Sequence, residues 1–307
     1  MILIVGGSGF LGREVAKLLL SQGKQVRVLV RTPAKVEDLK QAGAEVIQGD
    51  LINPPSLMRA CQGVDRVLAA ANSFLGKGKN KAEAVDEAGH RALIDVAKAS
   101  GVTHFVYISM LGVSPDHPFD YARMKYSIEQ YLKASGLSYT ILRSAWYMEQ
   151  NVYLYNGKSI LESGKTSLLG NGTKPRNFIA VRDVAQFAAL ALLDPKLKNR
   201  TIDIGGTQNA TNNQVAELCG KLAGITPKVS HMPPFMARAM SIALKPFQPG
   251  ISRIMYLNSL PDDAFDETFD SAPLLAEFPM HLTTLEEFIR DQIAETKNVR
   301  EVSLHLV

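Results

Sequence analysis

The opening of the chain, MILIVGGSGFLGREVAKLLL, constrains its fold more than any other stretch: Gly6, Gly7, Gly9 and Gly12 stand between an apolar run and an amphipathic one. Ile2-Leu3-Ile4-Val5 reads as a buried strand, and Leu11, Val15, Leu18 and Leu19 recur at helical spacing up to Gly23. A strand that turns through glycines into a helix brings backbone N–H groups and the positive helix end to one point. Gly7-x-Gly9-x-x-Gly12 and the overlapping Gly6-x-x-Gly9-x-x-Gly12 then predict a cradle for a dinucleotide diphosphate, formed by Gly6, Gly7, Ser8, Gly9, Phe10, Leu11 and Gly12. A tight turn with no ligand is the alternative.

Strand and helix periods alternate after that point. Strands are expected over Val26–Val30, Ala44–Gln48, Val64–Ala70, Phe105–Ser109 and Tyr139–Leu142. Helices are expected over Lys35–Gln41, Ala82–Ser100 and Pro118–Ser135. This order predicts an α/β fold, a Rossmann-type doubly wound parallel sheet over residues 1–145. Residues 146–307 are expected to form a smaller, mostly helical substrate lobe, with segments near 177–205 returning to the first sheet. Asp183 is read as the cap of a helix over Val184–Leu193, Thr211–Ala223 as another helix, and Thr284-Leu285-Glu286-Glu287 as a capping box starting a last one. The Met-rich, Pro-punctuated stretch Met232–Leu260 shows no sheet pattern.

Composition narrows the function classes. A net charge of +4 over 307 residues, with no arginine-rich stripe, argues against a nucleic-acid partner. Cys61 and Cys219 stand far apart, which suits a reducing compartment. The opening lacks the basic flank of a signal peptide, and no stretch approaches the roughly 20 apolar residues of a membrane span, so the cytoplasm is the expected location.

The end of the second strand, VRVLVRTPAK, bears on the choice of dinucleotide, a solvated arginine at a strand terminus being the alternative. Where an NAD site carries an acidic residue there stands Arg31, followed by Thr32 and Lys35. A guanidinium pairs with a 2′-phosphate, so NADP(H) is favoured over NAD(H). Asp50 and Leu51 after the third strand, and Ala70 ending the fourth, complete the expected cofactor set; Asp50 is alternatively a turn residue.

Gly6-Gly7-Ser8-Gly9-Phe10-Leu11-Gly12, Arg31, Gly49-Asp50-Leu51 and Tyr121-Ala122-Arg123-Met124-Lys125 together resemble the short-chain dehydrogenase/reductase superfamily. With Lys125-Tyr126-Ser127-Ile128-Glu129, Tyr139-Thr140-Ile141-Leu142-Arg143 and Trp146-Tyr147, the chain is most similar to the atypical, NmrA-like NAD(P)-binding group. The resemblance covers roughly residues 1–205. It implies Tyr121 as proton donor, Lys125 as its activator and the holder of the nicotinamide ribose, and Ser109 as a third catalytic residue. The family register puts the polarising hydroxyl at Met110, whose sulfur donates no hydrogen bond, with Ser114 a distant substitute.

Tyr121 and Lys125, four residues apart, point the same way from a helix, and an ammonium beside a phenol favours proton exchange with a carbonyl oxygen. A structural role is the alternative: Tyr121 as core, Lys125 paired with Glu129 one turn on. His117 is read as a residue of the helix start. Lys77, Lys79 and Lys81 form a solvated loop that could close over the cofactor. Trp146, Tyr147, Tyr153, Tyr155, Met232, Met236, Met240 and Met255 are candidates for an apolar substrate cleft. Three readings follow. The first is an NADPH-dependent oxidoreductase acting on a small apolar carbonyl, quinone or enone. The second is an NADP-binding sensor or assembly factor with a protein partner and no turnover. The third is a nucleotide-sugar epimerase-like enzyme with a second anion site at Lys165, Lys174, Arg176 and Arg253.

Overall fold

The structure is a computed structural model that describes residues 1–304. In chain order the first part runs β1 (Ile2–Val5), α1 (Phe10–Ser21), β2 (Val26–Val30), α2 (Glu37–Gln41), β3 (Glu45–Gln48), α3 (Pro54–Cys61) and β4 (Arg66–Ala69). It continues with α4 (His90–Ala99), β5 (His104–Met110), α5 (Asp120–Ala134) and β6 (Tyr139–Ser144). The expected long helix over Ala82–Ser100 is two segments: a π-helical stretch, Glu83–Gly89, leads into α4. The sequence reading omitted α3, although Asn53-Pro54-Pro55 is a helix-start signal.

Next come β7 (Trp146–Tyr147), a second π-helical stretch (Glu149–Gly157), α6 (Lys158–Ser163), β8 (Lys165–Leu169), β9 (Arg176–Ile179), α7 (Val181–Leu193) and β10 (Arg200–Ile204). The chain ends with β11 (Asn209–Ala210), α8 (Asn212–Ala223), β12 (Lys228–Met232), α9 (Pro234–Leu244), α10 (Pro249–Leu257), α11 (Ala272–Glu277) and α12 (Leu285–Leu304). Because α7 begins at Val181, Asp183 sits in its first turn, where its charge suits the helix dipole, and is not its cap. Thr211 and Gln214 form a capping box on α8. Thr284 and Glu287 form the expected one on α12: each backbone N–H is bound by the other's side chain, at 2.8 and 3.2 Å.

Seven strands make one sheet in the order β10-β6-β5-β4-β1-β2-β3, and every pairing from β3 across to β6 is parallel. Alternation along each strand sends side chains to both faces. Leu3, Val5, Val67, Phe105, Tyr107 and Ile141 form one core with the apolar stripes of α3, α4 and α5. On the other face α1 and α7 pack together and against the strands. This is the doubly wound Rossmann arrangement.

Contacts divide the chain into two compact units. The first comprises Met1–Ser144, Val181–Asp203 and Leu244–Ile251; the second comprises Ala145–Ala180, Ile204–Ala243 and the chain from Ser252. Of the segments near 177–205, Arg200–Ile204 lies in the seven-stranded sheet, whereas Arg176–Ile179 pairs with β7 and β11 in a separate three-stranded sheet. The second unit also holds a parallel pair, β8 with β12, and a core containing Met148, Phe178, Val215 and Phe288. No helix among the described residues is long and apolar enough to cross a membrane.

Candidate active site

The four glycines of the first turn do different work. Gly6 has φ +101°, and a Cβ there lies 2.7 Å from the Ala71 nitrogen. A Cβ on Gly7 lies 2.9 Å from Val28 Cβ, and one on Gly12 only 2.3 Å from the Gly6 oxygen. These three glycines are required by the packing of strand, turn and helix. Gly9 is different: its Cβ meets only the Gly6 oxygen, at 3.4 Å, an ordinary contact. Gly9 donates its N–H to that oxygen at 2.9 Å and stands at the N-cap of α1. No side chain caps this helix and its first turn carries no acidic residue, while Ser8, Gly9 and Phe10 are exposed. An exposed helix start with no side-chain cap and no acidic residue is a place where free backbone amides suit an anion such as a diphosphate. Leu11 and Gly12 are buried behind it.

Basic and acidic residues alternate after β2. Arg31, at the end of β2, is exposed, and its carbonyl accepts from Gln48 Nε2 at 3.3 Å. Arg13 reaches from α1 to the Lys35 carbonyl and, at 2.5 Å, to Asp38. That guanidinium holds the Asp38 carboxyl below the usual carboxylate range. Asp50 builds a local turn: its Oδ1 accepts from the Ile52 N–H at 3.3 Å, and its own N–H goes to Ser56 Oγ at 3.0 Å. Leu51 is buried against Gly89, where a Cβ lies 2.8 Å from Leu51 Cγ. Ala70 donates to the Val5 oxygen at 3.0 Å, tying the end of β4 to the end of β1.

A buried polar cluster lies at the same end of the sheet, where α/β folds bind ligands. Tyr121 and Lys125 share one face of α5 and both are buried. Tyr121 donates its hydroxyl to Asp86 Oδ1 at 2.8 Å. Lys125 Nζ stands 3.7 Å from the same oxygen and donates to the Ile108 carbonyl at 3.3 Å. Asp86 Oδ2 accepts the Ser73 N–H at 2.8 Å. Burial draws Lys125 below the usual amine range, with Asp86 and Glu129 pulling the other way. His90 Nδ1 bonds the Asp86 carbonyl at 2.8 Å; burial, then Lys125, lowers its pKa to about 4, so it is neutral near pH 7.

Asp86 is not among the expected site residues. The signal was there: Asp86, His90, Leu93 and Ala97 lie on one helical stripe, and all four are fully buried. A carboxylate and an imidazole on the buried stripe of an amphipathic helix call for partners inside the fold.

Ser109 joins a neighbouring group. Its hydroxyl donates to Glu129 Oε1 at 2.6 Å, and Arg143 grips both oxygens of the same carboxylate, at 2.9 and 2.6 Å. Met110, on the opposite face of β5, is half-buried. His117 Nδ1 accepts the Phe119 N–H at 3.0 Å, just ahead of α5. Lys77, Lys79 and Lys81 are exposed.

In the second unit Glu267 gathers the basic residues. Lys174 and Arg176 both pair with it, at 3.3 and 3.2 Å, and Trp146 Nε1 donates to it at 2.9 Å. A cavity of about 350 Å³ opens beside Lys174, Arg176, Asn258 and Asp262. Lys165 is exposed on β8 and Arg253 is buried. Trp146 and Tyr153 pack against the core of this unit, whereas Tyr155 and Met236 are exposed.

Comparison with known proteins places this geometry. A family profile described as NAD(P)H-binding matches residues 6–195. The chain is 31% identical to the photosystem II assembly factor Ycf39 of Trieres chinensis, over 98% of this chain and 96% of that one. It is 33% identical to an NAD(P)H azoreductase of Xenophilus azovorans, over 73% of this chain and 74% of the other. The crystal structure of the Escherichia coli NADPH-dependent quinone oxidoreductase QOR2 complexed with NADPH superposes with a TM-score of 0.75 at 27% identity, covering 95% of this chain and 99% of that one. With its glycine turn, its sheet order and these relatives, the chain belongs to the NAD(P)H-binding, NmrA-like branch of the atypical short-chain dehydrogenases/reductases.

Proposed function

We propose that this protein is an NADPH-dependent oxidoreductase that reduces a small, largely apolar carbonyl, quinone or enone. The observation that carries the reading is the Tyr121–Asp86–Lys125 cluster at the sheet end that also holds the glycine turn. One short segment joins the two: Gly6 abuts Ala71, and Ser73, two residues on, gives its N–H to Asp86.

In this reading the first amides of α1 bind the diphosphate, which the side-chain-free Gly9 lets come close, and Arg31 with Lys35 takes the 2′-phosphate. Bound nicotinamide supplies the hydride. Lys125 orients the nicotinamide ribose, and Tyr121 delivers the proton to the acceptor oxygen. Asp86 aims the phenol and keeps a countercharge beside the buried ammonium. Ser109 acts as a positioning residue through Glu129, and the second unit serves as the substrate lobe. The acceptor class is supported by the relatives named as an azoreductase and a quinone oxidoreductase.

A second reading, a dinucleotide-binding assembly factor without turnover, is favoured by the match to Ycf39 along nearly the whole chain. The engagement of Tyr121 by a carboxylate and the presence of Met110 also favour it. The epimerase-like reading is weakened because Lys174 and Arg176 converge on Glu267.

Titration with NADPH and NADH, followed by reduced-nicotinamide absorbance across quinones, azo dyes and aldehydes, tests these readings. The expected result is tighter NADPH than NADH binding and quinone-dependent oxidation that Tyr121→Phe and Lys125→Met abolish. Tight NADPH binding with no acceptor consumed supports the second reading. Equal affinity for both dinucleotides removes the role given to Arg31.

A further inference from the structure

The helix α9, Pro234–Leu244, buries its small residues and exposes its large ones. Its inward positions are small: Ala237 is 0% exposed and Ser241 5%. Its large apolar residues point outward, Phe235 at 73% and Ile242 at 67% exposure. Phe235, Ala239 and Ile242 are spaced four and three apart, so they form one outward stripe, and Met236 and Ala243 extend it. Scattered exposed apolar residues need no explanation, but a stripe of aromatic and branched residues along one helix face marks a surface that meets something apolar.

Charge identifies what that is. From Leu218 to Pro261 the chain contains no aspartate or glutamate, yet it carries Lys221, Lys228, Arg238, Lys245 and Arg253. This stretch alone exceeds the +4 net charge of the whole chain. Arg238 is exposed beside the apolar stripe, its guanidinium 4.5 Å from the centre of the Tyr256 ring. An apolar stripe bordered by Arg238, within a stretch of sequence that has no carboxylates, matches the boundary of an anionic bilayer, where acyl chains take the aromatic and branched side chains and headgroups take the cations.

We propose that α9 docks the protein peripherally on an anionic lipid surface, with Phe235 and Ile242 entering the acyl boundary and Arg238 pairing with headgroups. The proposal is independent of the reaction suggested above.

Flotation of the full chain with phosphatidylcholine vesicles, and with vesicles containing phosphatidylglycerol, tests it. The expected result is binding to the anionic vesicles only, weakened by salt. Phe235→Ser with Ile242→Ser abolishes this binding, and Arg238→Gln weakens it about 5-fold. Unchanged thermal unfolding shows that these exposed substitutions leave the fold intact. A chain that does not float with anionic vesicles overturns the proposal, as does binding that survives the Phe235/Ile242 double substitution. Loss of self-association in that variant, without any vesicle binding by the parent, assigns the face to a second copy of the chain and also overturns it.

Discussion

Tyr121 and Asp86, 35 residues apart in sequence, are joined by a 2.8 Å hydrogen bond from phenol to carboxylate inside the first unit. The same carboxylate oxygen stands 3.7 Å from the Lys125 ammonium. One fully buried acid therefore orients the proposed proton donor and balances the charge of the proposed activator.

Removing that acid isolates a buried cation. Asp86→Ala is expected to destabilise the protein by about 3 kcal/mol or more, because Lys125 loses its nearest countercharge and the Ser73 N–H its acceptor. Asp86→Asn keeps a hydrogen-bond acceptor and is expected to cost less. Urea unfolding of both variants checks the order. Equal stability of Asp86→Ala and the parent contradicts the assignment.

The glycine turn separates folding from binding. Gly12→Ala forces a Cβ to within 2.3 Å of a backbone oxygen and is expected to lower stability by about 3 kcal/mol or more. Gly9→Ala meets no such obstacle and is expected to stay within about 1 kcal/mol of the parent. It should nevertheless weaken NADPH binding at least about 10-fold, since the methyl group enters the diphosphate cradle. Thermal unfolding paired with fluorescence titration reads both effects; normal NADPH affinity in Gly9→Ala counts against the cradle.

Acid should destabilise the fold earlier than carboxylates alone require. Burial lowers both His90 and His104 from 6.5 to about 4. With folded values below unfolded ones, the unfolded chain binds more protons between pH 6.5 and 4. Stability is thus unaffected by these residues above pH 6.5 and falls as pH drops through that window, by up to about 2.7 kcal/mol per pH unit with both groups contributing. His104→Gln should flatten the dependence of the unfolding midpoint on pH by about half. A flat midpoint between pH 6.5 and 4 rules this out.

Both cysteines should be silent in the native protein. Cys61 and Cys219 are buried and free, and burial pushes their thiols up to about 11 and about 12. Little thiolate forms at neutral pH, so a thiol reagent should label them only as fast as the chain unfolds. Rapid native labelling of either position contradicts the packing around it.

Local rules made much of the fold legible. The glycine turn, the alternation of strand and helix, and the Thr284–Glu287 capping box all express constraints that act within a few residues. Asp183 misled because a capping residue is as favourable in the first turn of a helix as just before it. The π-helical register of Glu83–Gly89 escaped detection because no local rule distinguishes it from the α-helix it extends. In the candidate site, the four-residue spacing alone puts Tyr121 and Lys125 on one face of α5. It says nothing of what lies opposite, and the partner, Asp86, belongs to another helix.

The sequence by itself determined the dinucleotide-binding unit, because backbone conformation, Cβ clearance and hydrophobic period are properties of neighbouring residues. Only the tertiary structure decided which charges meet: Asp86 with Tyr121 and Lys125, Glu129 with Ser109 and Arg143, and Glu267 with Lys174 and Arg176. These encounters join segments brought together by packing, and Coulomb and hydrogen-bond energies depend on distance in space rather than separation along the chain. The outward face of α9 was settled the same way, since a stripe of Phe and Ile reads as core until the fold shows that small residues fill the inside.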